Sequence, residues 1–81
     1  MTGLHTEAYR RFASALTASR QAAGLSQREL ASKLNVNHTY VVKYEGGRQR
    51  LDVVEFLRVC QAIGCDPKAV INDVLLGSDL S

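Results

Sequence analysis

Residues 26–45, SQRELASKLNVNHTYVVKYE, read as two short helices joined by a tight turn. The Ser26 hydroxyl can accept from the amide three residues on, and Glu29 can reach back to the Ser26 amide, which makes a capping box. Leu25 can pack on Leu30 as a hydrophobic staple. Leu30, Ala31 and Leu34 then share one helical face. The pattern breaks at Asn35. Asn37 offers a second cap, with Val36 and Val41 as its staple. Val41 and Tyr44 continue an inward stripe, and Gly46 with Gly47 stops the helix, because glycine reaches the left-handed conformation at low cost.

The second of these helices also has an outer face. His38, Thr39, Val42 and Lys43 lie off the Val41/Tyr44 stripe. Short hydrogen-bonding side chains in a first turn, with basic residues around them, suit entry into a DNA major groove. The competing reading is an ordinary helical hairpin with a solvated face.

The segment resembles the helix-turn-helix of the phage repressor and Cro family, also called the XRE family. The resemblance rests on Gln27, Glu29, Leu30, Ala31, Val36, Val41, Glu45, Gly47 and Arg48, followed by LDVVEFLRVCQAIGCDP at 51–67. It extends over roughly residues 8–76 and implies an all-α, five-helix, lambda-repressor-like domain. It further implies base contacts from Asn37, His38, Thr39, Val42 and Lys43. Phosphate contacts are implied for Gln27 and for Arg48 and Arg50, which fall where the family's loop follows the DNA backbone. A basic residue at the position of Arg20 is implied to pair with Glu45. Relatives often carry a proline near residues 49–51, and this chain has none there, which leaves the stiffness of that loop open.

The residues themselves refine these expectations. Threonine can hydrogen-bond to a base or set its methyl beside thymine, imidazole can donate or accept, and Val42 can meet a thymine methyl. Asn37 could pair with adenine, but capping competes for it. Lys43 could reach guanine or phosphate. Ser26 and Arg28 join Gln27 at a helix N-terminus, where free amides and the helix dipole favour an anion. The Tyr40 ring could pack between the two helices while its hydroxyl reaches a phosphate.

Eighty-one residues make one domain with a small core. The net charge of +2 conceals an uneven distribution. Residues 1–50 hold eight Lys and Arg against three Glu, a balance of +5, whereas residues 51–81 hold two against five Asp and Glu, a balance of −3. The basic half is a candidate footprint for phosphate.

Around the central segment, a first helix over about residues 6–23 carries Tyr9, Phe12, Leu16, Ser19 and Ala23 at three- and four-residue spacing, with Arg10 and Arg11 solvated. A fourth helix over about 53–63 begins with the Asp52/Glu55 capping box and a Leu51/Phe56 staple, and Phe56, Leu57, Cys60 and Ile63 are its expected core. Asp66 caps a fifth helix with Pro67 at its first position. Val70, Ile71, Val74, Leu75 and Leu76 cover more than one stripe there, so Val70, Ile71, Val74 and Leu75 form a candidate homodimer face that would present two reading helices to an inverted repeat. The last residues, 77–81, read as a flexible tail.

No catalytic constellation, phosphate-cradling glycine loop or metal cluster occurs in the sequence, so neither enzyme activity nor a cofactor is expected. His5, His38, Cys60 and Cys65 have no zinc-like spacing. The cysteines read as reduced thiols. The start of the chain lacks the layout of a signal peptide and no apolar run approaches a membrane span, which predicts a soluble cytoplasmic protein. The expected function is a sequence-specific duplex-DNA-binding regulator of transcription, most simply a dimeric repressor on an inverted-repeat operator. With no sensor domain in the sequence, its control would fall to protein concentration, dimerisation or a partner. The length also resembles restriction–modification controller proteins and small phage repressors. The alternative is an antitoxin whose main partner is a toxin protein, or a protein-interaction module on the same fold.

Overall fold

The computed structural model describes residues 6–77, and every regular element among them is an α-helix. These are α1 (Glu7–Ala22), α2 (Gln27–Leu34), α3 (His38–Glu45), α4 (Val53–Ile63) and α5 (Pro67–Gly77). None is long and apolar enough to cross a membrane.

Local side chains fix where each helix starts. Thr6 Oγ1 accepts from the Tyr9 amide at α1. The Ser26/Glu29 box at α2 has both arms closed, at 3.0 and 2.8 Å. The Asp52/Glu55 box at α4 is closed at 2.7 and 2.8 Å. Asp66 Oδ1 accepts from the Lys68 amide at α5. Each cap satisfies an otherwise orphaned amide and is worth about 1 kcal/mol.

The turn between α2 and α3 is closed by backbone bonds. Asn35 takes φ 58°, ψ 45°, a left-handed conformation that asparagine tolerates better than most residues. The Val36 amide donates to the Ala31 carbonyl at 3.0 Å and the Asn35 amide to Ser32 at 3.1 Å, the two bonds of a Schellman motif. Asn37 then caps α3 by accepting from the Thr39 amide at 2.9 Å. The relative orientation of α2 and α3 is therefore set within three residues.

The stop after α3 uses a single glycine. Gly47 has φ +76°, while Gly46 sits at φ −80° in ordinary right-handed space. The Arg48 amide donates to the Lys43 carbonyl at 2.9 Å and completes a Schellman turn here too.

One core joins all five helices, centred on Leu16, Leu30, Val41, Tyr44, Val59 and Cys60. The inward face of α4 is Phe56, Val59, Cys60 and Ile63, at i, i+3, i+4 and i+7. This corrects the expectation for Leu57, which lies one step off that face and is 46% exposed. On α1 the inward face takes in Ala13, while Ala23 is exposed. Arg11 is half-buried rather than solvated, with Nη2 donating to the Asp73 carbonyl at 3.3 Å, because α5 packs along α1. Gly77 belongs to α5, so the helix reaches one residue into the expected tail, and residues 78–81 lie outside the described range.

Candidate nucleic-acid interface

Successive α3 residues are turned by about 100° around its axis. Val41 and Tyr44 point into the core and are fully buried. His38, Thr39, Val42 and Lys43 occupy an arc of roughly 140° on the opposite side. Thr39 and Lys43 are exposed, and His38 and Val42 are half-exposed. The row expected from the sequence is thus a contiguous outer face. Asn37 is exposed beside it, with Oδ1 committed to the cap and its amide nitrogen free of that bond.

The far end of α3 is anchored by a buried polar network. Arg20, 8% exposed on α1, donates through Nε to Glu45 Oε2 at 2.7 Å and through Nη2 to Oε1 at 3.2 Å. Its Nη1 donates to the Leu25 carbonyl at 2.7 Å. Gln27 Nε2 donates to Glu45 Oε1 at 3.0 Å. A carboxylate at a helix C-terminus opposes the helix dipole, and the planar guanidinium fork beside it offsets that cost. The network ties α1, the α1–α2 link and the first turn of α2 to the last residue of α3.

Gln27 takes part in this network. Its side chain is turned onto Glu45 as a brace, with one amide hydrogen and the carbonyl oxygen left over. Ser26 is likewise committed as an acceptor within its capping box. Serine's own amide bond and its hydroxyl bond to Glu29 hold the Glu29 carboxyl below its ordinary range, so the box stays ionised at neutral pH.

Among the described residues Arg20–Glu45 is the one ion pair within 4 Å. Arg28, Lys33, Lys43 and Arg48 are exposed and without a carboxylate partner in that range. Arg50 differs: its guanidinium lies 4.8 Å from the centre of the Tyr9 ring, and Nη2 is 3.5 Å from Thr6 Oγ1. The Tyr40 ring packs against the core from α3, as expected. It is half-buried, with its ring edge-on to Tyr44 at 5.9 Å. Burial, and then the neighbouring Glu55 carboxylate, push its hydroxyl pKa up. A phosphate at that hydroxyl would meet the Glu55 charge.

The element that local sequence patterns miss is Tyr9. Its hydroxyl donates to the Gln49 carbonyl at 3.1 Å and accepts from the Leu51 amide at 3.2 Å. It thereby ties the loop between α3 and α4 to α1.

On α5 the expected dimer residues divide. Val70 is 3% exposed and belongs to the core of its own protomer, so it cannot also line an interface. Ile71 and Leu75 are 46% and 54% exposed, and Val74 lies between these extremes.

Among the described residues no cluster of three or more His, Cys, Asp or Glu could hold a metal. Cys60 and Cys65 are free thiols, and burial pushes the Cys60 pKa up to about 12.

A family model of the helix-turn-helix domain matches residues 7–70. An XRE-family like protein from Pseudomonas syringae pv. tomato str. DC3000 is 36% identical, with a TM-score of 0.83 over 93% of this chain and 92% of its own. The clp gene regulator ClgR from Corynebacterium glutamicum is 25% identical, with a TM-score of 0.82 over 95% of this chain and all of its own. The restriction-modification controller protein C.AhdI from Aeromonas hydrophila is 30% identical, with a TM-score of 0.69 over 74% of this chain and 91% of its own. No curated protein sequence is a significant match to the chain.

Proposed function

The chain belongs to the XRE-type helix-turn-helix family, and from that premise we propose that it is a sequence-specific, duplex-DNA-binding repressor of transcription that acts as a homodimer. The observation that carries this reading is the outer face of α3. Its polar row is displayed at the start of a helix whose other face is fully buried and whose end is fixed by Arg20 and Gln27.

In this reading His38 and Thr39 contact base edges from the first turn of α3. Val42 meets a thymine methyl, and Lys43 reaches a guanine or the adjoining phosphate. Asn37 keeps its cap and offers only its amide nitrogen. Arg28 and Arg48 contact phosphates, together with the first turn of α2, where Gln27 retains one free amide hydrogen. Ile71, Val74 and Leu75 supply the dimer contact. A two-fold axis there presents two α3 helices to an inverted repeat, and occupancy of that site blocks transcription. The activity is binding, with no chemical step.

Selection from a random duplex pool, followed by sequencing and a salt titration on the enriched site, tests the reading. The expected result is an inverted repeat whose affinity falls steeply with salt. Weak binding without sequence enrichment would overturn it.

A further inference from the structure

The α3–α4 loop is fixed at two points and open between them. The Arg48 amide is bonded to the Lys43 carbonyl, and the Leu51 amide to the Tyr9 hydroxyl. Among the described residues the two intervening amides, of Gln49 and Arg50, have no acceptor in the protein. Gln49 is half-exposed, and Arg48 and Arg50 are exposed. Two successive N–H groups between tethered ones are thus left for an acceptor outside the described residues.

Tyr9 is what holds the second tether. It lies 40 and 42 residues away from its two loop partners and is 8% exposed. Its ring packs on Phe12 at 5.3 Å and holds the Arg50 guanidinium on its face. The Arg50 side chain is thereby drawn toward α1, so the positive group left at the head of the loop is Arg48. Burial raises the Tyr9 pKa, so the hydroxyl keeps the proton that it donates to Gln49.

We propose that Tyr9 is a positioning residue for DNA binding, whose hydroxyl fixes residues 48–51 so that the Gln49 and Arg50 amides and the Arg48 guanidinium meet the duplex phosphates together. This rests on the duplex-binding reading above and deepens it. A phosphate contact positions the protein without reading sequence. Tyr9 therefore acts on affinity for all duplexes and leaves the preference between them unchanged. Arg50 contributes through its stack on Tyr9 rather than as a phosphate ligand.

The test is Tyr9→Phe, which removes one oxygen and keeps the ring. Binding is measured well below the melting temperature, on the enriched duplex and on an unrelated one, across a salt series. The proposal expects roughly five- to ten-fold weaker binding to both duplexes, an unchanged ratio between them, and a shallower salt slope. It also expects faster hydrogen exchange at the Leu51 amide. In an Arg48→Ala background the effect of Tyr9→Phe should shrink, because both act through one loop. A lower melting temperature with unchanged affinity and salt slope would make Tyr9 purely structural and overturn the inference alone. Wild-type protein with no salt-dependent duplex binding would overturn the duplex-binding reading, and this inference with it.

Discussion

Arg20 and Glu45 meet through two nitrogen–oxygen contacts of 2.7 and 3.2 Å across 25 residues of sequence, with 10% and 6% of their side chains exposed. A pair buried this far gives geometry more dependably than net stability, but removing one partner strands the other. Arg20→Ala leaves the Glu45 carboxylate with Gln27 alone and also frees the Leu25 carbonyl. It should cost about 3–5 kcal/mol. Glu45→Gln keeps the shape and loses the charge, and should cost about 1.5–3 kcal/mol. Urea unfolding gives both values, and the double variant should lose less than the sum of the single ones. Losses below about 0.5 kcal/mol would place the pair among ordinary surface ion pairs.

Tyr44 is fully buried, and among the described residues its hydroxyl has no hydrogen-bond partner. Tyr44→Phe should therefore be neutral or stabilising by up to about 1 kcal/mol at neutral pH. The variant should also change the alkaline limb of the stability curve. Burial, and then the Glu45 charge beside it, raise the folded-state pKa of Tyr44 above the ordinary tyrosine value. Below roughly pH 10 both states hold the Tyr44 proton, and Tyr44 adds no pH dependence there. Above it the unfolded chain releases a proton that the folded one retains, so stability falls as pH rises. Tyr44→Phe removes that part of the fall. Tyr9, Tyr40 and the Cys60 thiol are shifted the same way, so a smaller slope persists, beginning at the lower pH where an ordinary thiol ionises. Parallel urea midpoints for wild type and variant across this range would contradict the assignment.

The exposed residues of α5 make a separate prediction about assembly. Ile71→Glu and Leu75→Glu change positions that are 46% and 54% exposed, so the fold should survive. Sedimentation should shift to the monomer, and affinity for a two-half-site duplex should fall at least about ten-fold. Binding to a single half-site should not change. Val70→Glu is the contrast: at 3% exposure the charge enters the core, and the chain should unfold. An unchanged sedimentation coefficient for both surface variants would move the dimer contact elsewhere.

Much of this molecule is visible in short stretches of sequence because short-range chemistry sets it. The Ser26/Glu29 and Asp52/Glu55 boxes span three residues each, and α4 runs over Val53–Ile63 as its caps imply. On α4 the spacing i, i+3, i+4 and i+7 from Phe56 points to Val59, Cys60 and Ile63, and the expectation of Leu57 in the core departs from that period. Leu57 and Val59 stand two positions apart, roughly 200° around the helix axis, and it is Val59 that is completely buried while Leu57 is 46% exposed. Val70 is expected at the dimer face from its spacing, and the packing of α5 along α1 instead puts it in the core. On the candidate interface, residue spacing on α3 locates the outer row. It is silent on Tyr9, since a hydroxyl that bonds 40 residues away leaves no local pattern. It is equally silent on Tyr40, whose setting depends on Glu55 arriving from α4.

The claim that α3 reads bases is tested most directly by titrating wild type, His38→Ala and Thr39→Ala on the enriched duplex and on an unrelated one at fixed salt. Both side chains stand clear of the core, so folding should be preserved. Each variant should lose about 1–3 kcal/mol on the enriched duplex and almost nothing on the unrelated one. Equal losses on both duplexes, or none on either, would contradict base reading by this face.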